Sequence, residues 1–269
     1  MASLSFVSAD WVANRLDSPE FLFLDPRSPL RYMAGHPKNA VSAPIAKARA
    51  ADGALLPPEK LASWLASLGL DDHRTPVLYD GADGRNAAML AWLLMYLGRT
   101  DVHIMETFFE EWLAEKREVF YRPVVPAPGN FSARLKPQLR VTAGDLRDSS
   151  SVRLVDFRSV EEFTGQLTTD GRPGHIPGAV NLPWNELNGA QQKILAPREK
   201  LAALFASRGI APDRPAVAYC RTGVRAALGF LALAEIGLPV ALYDGSFADW
   251  AHRGLPVETS EFEERKANA

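Results

Sequence analysis

The sequence predicts an α/β fold built from two similar domains that lie side by side. Short apolar, β-rich runs alternate along the chain with longer stretches of helical character. In addition, three blocks of the first half of the sequence recur in the same order in the second half. Alternating strands and helices are typical of a mostly parallel sheet covered by helices, and an ordered recurrence of blocks indicates a duplicated domain. We therefore expect two domains, each with a mostly parallel sheet flanked by helices.

The repeated blocks share polar landmarks as well as an apolar pattern. Each copy has a strand-like run that ends in Asp-x-Arg, so that Arg27 corresponds to Arg158. Each copy also has a later block that ends in tryptophan, so that Trp112 corresponds to Trp250. The paired segments are 21–45 with 152–184, 75–98 with 214–237, and 102–112 with 240–250. Three pairs in one order favour duplication over chance similarity.

Individual elements follow from the spacing of apolar residues. The runs FLFL, PVLY, VHIM, RLVD, AVAY and VALY predict short buried strands. Helices are predicted for SADWVANRL, PPEKLASWLASLG, AAMLAWLLMYLG, REKLAALFASRG and VRAALGFLALAEIG. Several of these helices end at a glycine, among them those that reach Gly98 and Gly237, because glycine is a common helix stop.

A proline-rich segment separates the two copies. Residues 121–140, YRPVVPAPGNFSARLKPQLR, contain four prolines and one glycine and show no helical periodicity. Because proline fixes φ and lacks a backbone N–H, this composition predicts an extended linker that runs over the surface. The predicted organisation is a first domain over residues 1–120, a linker over 121–140 and a second domain over 141–269.

The composition excludes several classes of function. The chain has 269 residues, of which 47% are apolar, a formal net charge of −2 and a single cysteine. The absence of a basic bias argues against a nucleic-acid partner, and no apolar run has the length of a membrane span. One cysteine excludes an internal disulfide and a thiolate cluster, and the five histidines show no ligand spacing, so we expect neither a metal nor another cofactor. Since the first residues show no signal-peptide pattern, we expect a cytoplasmic protein.

The single cysteine, Cys220, lies between the end of a predicted strand and the start of a predicted helix. Open α/β sheets bind ligands at the carboxyl ends of their strands, and the free N–H groups at a helix start attract negative charge. Thr222 and Gly223 allow the backbone to turn so that several N–H groups point inward, and Arg221 and Arg225 add positive charge. These features favour the thiolate over the thiol. We therefore predict a nucleophile that acts on an anionic electrophile.

Three other interpretations of Cys220 are less well supported by the sequence. A lone cysteine at a strand end is more often structural than catalytic, but the two neighbouring arginines favour catalysis here. Cysteine-dependent phosphatases place one residue more between cysteine and arginine than the segment from Cys220 to Arg225 does. The shorter loop suits a single additional sulfur atom better than a tetrahedral oxyanion. A Cys–His protease is disfavoured because no protease signature surrounds Cys220 and the segment GHIPGAV is typical of a turn.

Four motifs together resemble the rhodanese family of sulfurtransferases in its tandem, two-domain form. They are LVDFRSVEEF, GHIPGAVNLPW, YCRTGVRAA and LYDGSFADW, and the resemblance extends over essentially the whole chain. It implies two rhodanese-like domains and a ping-pong reaction of the thiosulfate:cyanide sulfurtransferase type. The thiolate of Cys220 would take the outer sulfur of a donor as a persulfide and pass it to cyanide, a thiol or thioredoxin. In the tandem family the carboxy-terminal copy carries the active cysteine.

The first copy has an aspartate, Asp80, where the second copy has Cys220. A carboxylate cannot carry sulfur, but at a helix amino end it can accept hydrogen bonds from the free N–H groups. The loop after Asp80 is also one residue longer. We therefore predict that the first domain is catalytically inactive and helps to form the wall of the active-site cleft.

The resemblance also bears on the sulfur donor, which is thiosulfate or 3-mercaptopyruvate in this family. A basic residue directly after the cysteine is typical of thiosulfate-type loops, so Arg221 favours thiosulfate, although Thr222 and Arg225 differ from the usual form. Tandem members often have an arginine where this chain has Glu162, so we expect the donor anion to depend on Arg221 and Arg225. The alternatives are a 3-mercaptopyruvate sulfurtransferase, or a persulfide carrier or redox sensor that serves a protein partner.

The predicted site is centred on Cys220 as the catalytic residue. The predicted substrate-binding residues are those of its loop: Arg221, Thr222, Gly223, Val224 and Arg225. Three further residues are predicted to support the loop: Arg158, Asp244 and Trp184. Because Arg158 is repeated as Arg27 in the first copy, a purely structural pairing with Asp156 and Glu161 is the favoured interpretation of that residue.

Overall fold

Two five-stranded parallel sheets, each flanked by helices, form the chain. The computed structural model describes residues 3–146 and 151–260. The strands of the first sheet are β1 Ser3–Val7, β2 Phe21–Asp25, β3 Val41–Ser42, β4 Thr75–Leu78 and β5 Asp101–Met105. Those of the second sheet are β6 Arg140–Val141, β7 Arg153–Asp156, β8 Val180–Asn181, β9 Ala216–Tyr219 and β10 Val240–Tyr243. The six predicted strands are all present, and the predicted α/β class is confirmed.

The two sheets have the same topology. The strand orders are β1-β5-β4-β2-β3 and β6-β10-β9-β7-β8, so each strand of the second sheet matches the strand five earlier in the chain. All pairings between these strands are parallel. Such pairings require crossover connections, which are right-handed in almost all proteins. The repeated strand order supports the duplication that the sequence predicts.

The helices cover both faces of the sheets. In the first domain they are α1 Ala9–Ala13, α2 Pro29–Met33, α3 Pro58–Ser67, α4 Arg85–Tyr96 and α5 Phe109–Ala114. In the second domain they are α6 Ala143–Leu146, α7 Val160–Thr164, α8 Arg198–Ser207, α9 Val224–Glu235 and α10 Ser246–His252. The five predicted helices correspond to α1, α3, α4, α8 and α9. Within the described ranges, no helix is both long and apolar enough to cross a membrane.

The two longest helices, α4 and α9, pack against each other and join the domains. Nearly every residue of α4 from Ala87 to Tyr96 is buried, and so is every residue of α9 from Ala226 to Leu233. A helix that is apolar on all sides is buried on all sides, because a single apolar stripe would leave the other face in water. One continuous apolar core therefore extends from the first sheet through α4 and α9 to the second.

The segment between the domains lies along the first domain. Residues 117–136, all described, contain no helix or strand. Gly98 ends the α4 region with a φ of 104°, and a side chain there would lie 2.3 Å from the carbonyl oxygen of Arg134. The indole of Trp92 donates a hydrogen bond to the carbonyl of Leu139 at 3.0 Å. Arg140, the last residue of the predicted linker, already pairs with the second sheet as the start of β6.

A glycine within α9 is required by packing and not by backbone conformation. A β-carbon at Gly229 would lie 2.2 Å from the ring of Phe157. Gly229→Ala should therefore lower the free energy of unfolding by about 1–3 kcal/mol, although alanine is the better helix former by roughly 1 kcal/mol. Urea unfolding of the variant and the wild type measures the difference.

Gly144→Ala is the matched control for this substitution. Gly144 also lies in a helix, and among the described residues a β-carbon there meets only the hydroxyl of Thr142, at 3.6 Å. This variant should be as stable as the wild type or more stable, because it gains helix propensity without a clash. A Gly229→Ala protein as stable as Gly144→Ala would show that Phe157 moves aside without cost.

Candidate active site

Cys220 directly follows β9 and is followed by the loop that opens α9. Gly223 is the residue before α9, and its φ of 89° lies in the left-handed region. A β-carbon at this position would lie 2.7 Å from the carbonyl oxygen of Asp244. Only glycine combines this backbone angle with this close approach. The turn that places the start of α9 at the cysteine therefore depends on Gly223.

The cysteine is held by its neighbours on both sides. The backbone N–H of Gly223 donates to the sulfur of Cys220 at 3.1 Å. The N–H of Cys220 donates to the hydroxyl of Ser246 at 3.1 Å, and this hydroxyl donates to the carbonyl of Tyr243 at 2.8 Å. The carbonyl of Cys220 accepts the N–H of Phe247 at 2.9 Å. Ser246 was not predicted from the sequence, because its contact joins two strand ends that are distant along the chain.

Cys220 is buried, and its loop borders an interdomain cleft. The residue is 1% exposed. A cleft with a volume of about 680 Å³ lies beside its loop and is lined by Thr222 and Asp244 of the second domain and by Arg49 of the first. A donor in this cleft reaches the sulfur only when the groups that cover it move aside.

Arg225 is paired with Glu162, the residue that departs from the usual pattern of the tandem family. Its guanidinium donates to the two carboxylate oxygens at 2.5 and 2.9 Å. Burial lowers the pKa of Arg225, but the bonds to Glu162 and the charge of the Cys220 sulfur outweigh this and raise the pKa overall. Burial raises the pKa of Glu162, but Arg225 outweighs it, so this pKa is lowered. Glu162 therefore keeps an ionised arginine beside the sulfur.

Arg221 is also paired with a carboxylate. Its Nε and Nη2 donate to Asp170 at 3.0 Å each, on an exposed side of the loop. The bonds to Asp170 and its charge raise the pKa of Arg221. Both arginines that the sequence assigns to anion binding thus have carboxylate partners. Their contact with a donor stays a prediction.

The other loop residues differ in their surroundings. The carbonyl of Thr222 accepts a hydrogen bond from Nη2 of Arg49 at 2.8 Å, a contact from the first domain that was not predicted from the sequence. Val224 is the first residue of α9 and packs against the central apolar core. In the described structure, no acceptor is recorded for the N–H groups of Arg225 and Ala226, at the first turn of α9. Free N–H groups at a helix start favour a bound anion.

The residues that the sequence assigns to loop support take separate positions. Arg158 makes a bidentate pair with Asp156, donates to the carbonyl of Gly174 at 2.9 Å and stacks on Phe247, so it acts behind the loop. Asp244 accepts from Arg140 at 2.7 Å, and its carbonyl lies against Gly223. The ring of Trp184 lies against Arg85, at the contact with the first domain and not on the cleft lining.

Asp80 binds the helix start in the first domain. Its carboxylate accepts the backbone N–H groups of Asn86 at 2.7 Å, Ala87 at 3.0 Å and Gly81 at 2.8 Å. It therefore occupies the amide groups at the start of α4, as its position in the sequence predicts. Burial raises the pKa of Asp80 to about 6, and the backbone N–H groups of Ala87 and Gly81 oppose this rise.

Comparison with known proteins identifies the family. The model of the rhodanese-like domain matches residues 8–115 and again residues 142–253. The chain belongs to the rhodanese family. Each match contains four of the five strands of one sheet, so the family domain is present twice.

Relatives of this rhodanese-family chain extend over its whole length. The 3-mercaptopyruvate sulfurtransferase of Escherichia coli is 32% identical, with 96% of this chain and 99% of that protein covered. The thiosulfate sulfurtransferase of Azotobacter vinelandii is 30% identical, with 91% and 93% covered. The crystal structure of SseA from Escherichia coli superposes with a TM-score of 0.82 at 30% identity, over 91% of this chain and 99% of that one. The two-domain rhodanese fold that the sequence predicts is confirmed.

The titration of Asp80 should be visible in the stability of this rhodanese. Because its pKa is about 6 when folded and about 3.9 in an unfolded chain, ionisation disfavours the folded state. Asp80 therefore stabilises the fold below pH 4, and this contribution, about 3 kcal/mol, is lost as the pH rises through 6. Asp80→Asn does not ionise. Relative to wild type, the variant should gain about 3 kcal/mol of stability between pH 4 and pH 7.

Urea unfolding at both pH values measures this difference. Glu59→Gln is the control, because Glu59 is exposed on α3 and its substitution should leave the pH dependence of the wild type unchanged. A difference between Asp80→Asn and wild type that stays constant with pH would contradict the prediction.

Proposed function

We propose that the chain is a sulfurtransferase that moves a sulfane sulfur from thiosulfate to a nucleophilic acceptor through a persulfide of Cys220. The observation that carries this proposal is the position of the sulfur, which accepts the N–H of Gly223 at the amino end of α9. The charge of this sulfur acts on the guanidinium groups of Arg225 and Arg49. The sulfurtransferase names of the relatives support the same reaction class.

The first half-reaction forms the persulfide. The Cys220 thiolate attacks the outer sulfur of thiosulfate, and a new S–S bond forms. The S–S bond of thiosulfate breaks, and sulfite leaves with the electron pair. The negative charge of the thiolate passes to the terminal sulfur of the persulfide, so no external oxidant or reductant is needed. The free N–H groups at the start of α9 and the Arg225 guanidinium stabilise this charge.

The second half-reaction returns the enzyme to its first state. A nucleophilic acceptor attacks the terminal sulfur of the persulfide, the S–S bond breaks, and the Cys220 thiolate leaves with the electron pair. With cyanide the product is thiocyanate. A thiol acceptor, free or on a protein such as thioredoxin, takes the same sulfur as a new persulfide. The thiolate is a good leaving group because the same N–H groups stabilise it.

The identity of the sulfur donor is the more specific part of the proposal. Thiosulfate is favoured by the basic residue directly after the cysteine, Arg221, which suits a dianion. The alternative donor is 3-mercaptopyruvate, and the name of the relative in Escherichia coli favours it. Here the thiolate would attack the thiol sulfur of the donor, and the C–S electrons would leave as the enolate of pyruvate. Both donors are anions, so both need positive charge in the cleft.

Removal of the nucleophile tests the proposed reaction. Cys220→Ser should abolish thiocyanate formation from thiosulfate and cyanide, because a serine hydroxyl cannot form a persulfide. Mass spectrometry of the wild type after thiosulfate treatment should show the addition of one sulfur atom, and the variant should show none. Circular dichroism checks that the variant is folded. Turnover by the Cys220→Ser protein, or a wild type that takes up no sulfur from either donor, would refute the assignment.

The role of Arg221 in donor choice is tested by the ratio of kcat/KM for thiosulfate to kcat/KM for 3-mercaptopyruvate. Arg221→Gly should lower kcat/KM for thiosulfate relative to 3-mercaptopyruvate, because the dianion loses more attraction than the monoanion. The side chain of Arg221 is 48% exposed and paired with Asp170, so we expect a change in the ratio of about fivefold or less. An unchanged ratio on the same preparations would show that Arg221 serves only to hold Asp170.

A further inference from the structure

We propose that Arg49 of the first domain binds the anionic group of the sulfur donor. The inference rests on the proposed sulfurtransferase function and names the residue that recognises the donor as an anion. It gives the inactive domain a direct part in substrate binding. Arg49 lies outside the motifs that resemble the rhodanese family and outside the loop of Cys220.

Arg49 belongs to the first domain and contacts the loop of the second domain that carries Cys220. It follows the short 3-10 helix Ile45–Ala48 and lines the interdomain cleft. Its Nη1 donates to the carbonyl of Gly53 at 2.7 Å, and its Nη2 donates to the carbonyl of Thr222 at 2.8 Å. Nη2 also lies 3.1 Å from the position that a β-carbon on Gly223 would take. The guanidinium therefore touches the backbone of the loop that carries the cysteine.

Arg49 differs from the other arginines around the cleft because no carboxylate is paired with it in the described residues. Those arginines each have a carboxylate partner: Arg140 with Asp244, Arg253 with Asp249, Arg221 with Asp170 and Arg225 with Glu162. Within the described residues, Arg49 forms no salt bridge and is bonded only to two neutral carbonyls. Burial lowers the pKa of Arg49, and the charges of Asp244 and the Cys220 sulfur only partly oppose this. A guanidinium bonded only to neutral carbonyls can exchange one of them for an anion, which it binds more strongly.

The first domain has a glycine at the corresponding position, and a side chain of the second domain covers it. Gly84 precedes α4 as Gly223 precedes α9, and both have a left-handed φ. The atoms that lie against Gly84 are those of Ile194, with a contact of 2.7 Å from the expected β-carbon. Ile194 comes from a loop of the second domain, and its N–H donates to the carbonyl of Glu106 at 2.8 Å. Each domain thus covers the loop of the other.

Each domain covers the helix-start loop of the other, but the two covering side chains differ in chemistry. An isoleucine seals the loop that contains Asp80, where no ligand is needed. An arginine covers the loop that contains Cys220, where the sulfur is 1% exposed. The bond from Arg49 to the Thr222 carbonyl is one that a donor anion can replace, because a charged acceptor binds a guanidinium more strongly than a neutral carbonyl. A donor anion that binds Arg49 in this way breaks the bond to the Thr222 carbonyl, so donor binding also releases the loop.

Direct binding tests the proposal without turnover. In the Cys220→Ser background, isothermal titration calorimetry measures the affinity for thiosulfate, with and without Arg49→Gln. We expect Arg49→Gln to weaken binding by about tenfold or more and Arg49→Lys to restore part of the loss. Lys47→Gln is the matched control, because Lys47 is an exposed cation on the same 3-10 helix and should leave the affinity unchanged.

Single-turnover rates in the Cys220 enzyme separate donor recognition from loop structure. Arg49→Gln should raise the thiosulfate concentration needed for half-maximal persulfide formation. Discharge of a preformed persulfide by dithiothreitol, a neutral dithiol that releases hydrogen sulfide, should keep the wild-type rate.

The outcomes distinguish the two proposals. Equal thiosulfate affinity with and without Arg49→Gln, or no affinity in the Cys220→Ser background, would overturn the role of Arg49. Equal slowing of persulfide formation and discharge would also overturn it, because it would show that Arg49 only maintains the loop. A wild type that binds thiosulfate through Arg49 but forms no persulfide would refute the proposed function and leave the anion site in place.

Discussion

The backbone turn at Gly223 is the constraint on which the rest of the site depends. Its left-handed φ and its contact with the carbonyl of Asp244 fix where α9 begins. The same turn places the N–H of Gly223 on the sulfur of Cys220. The first N–H groups of a helix have no partner within it, and the turn brings this end of α9 next to Cys220. Without the turn, Cys220 would be an ordinary buried residue at the end of a strand.

The support behind this turn is the same in both domains. Arg27 makes a bidentate pair with Asp25 and donates to the carbonyl of Gly35, as Arg158 does with Asp156 and Gly174. A buried pair of this kind contributes little net stability, because desolvation offsets most of the attraction. It does fix the orientation of the strand end. The first domain, which has Asp80 in place of a cysteine, keeps the same support, so the support is not specific to the loop of Cys220.

The two domains satisfy the same helix start in different ways. The Asp80 carboxyl accepts the N–H groups at the start of α4, and Ile194 covers the loop. Cys220 leaves the N–H groups of Arg225 and Ala226 without a recorded acceptor in the described structure. A site that binds its own carboxylate has no affinity left for an external anion. A site with unfilled N–H groups keeps that affinity at the cost of some stability.

The sequence predicts the parts of this arrangement that are local. The alternation of strands and helices, the duplication, the position of Cys220 before a helix and the capping role of Asp80 all follow from short segments. Strands of two residues, such as β3 and β8, were not predicted because two residues show no periodicity. The carboxylates Asp170 and Glu162 were not predicted as partners of the loop arginines. Arg49 was missed because it lies 173 positions before Thr222, and only the packing of the domains brings them together.

The charges around the cleft explain why a nucleophile from one domain would need a cation from the other. An arginine paired with a carboxylate, as Arg225 is with Glu162, keeps its position, but the carboxylate offsets part of its charge. An arginine with no partner offers its full charge, but it needs other contacts to hold it in place. Arg49 is held by two carbonyls, one from each domain. Because α4 and α9 pack against each other and join the domains, the proposed anion site depends on the same core that holds the two domains together.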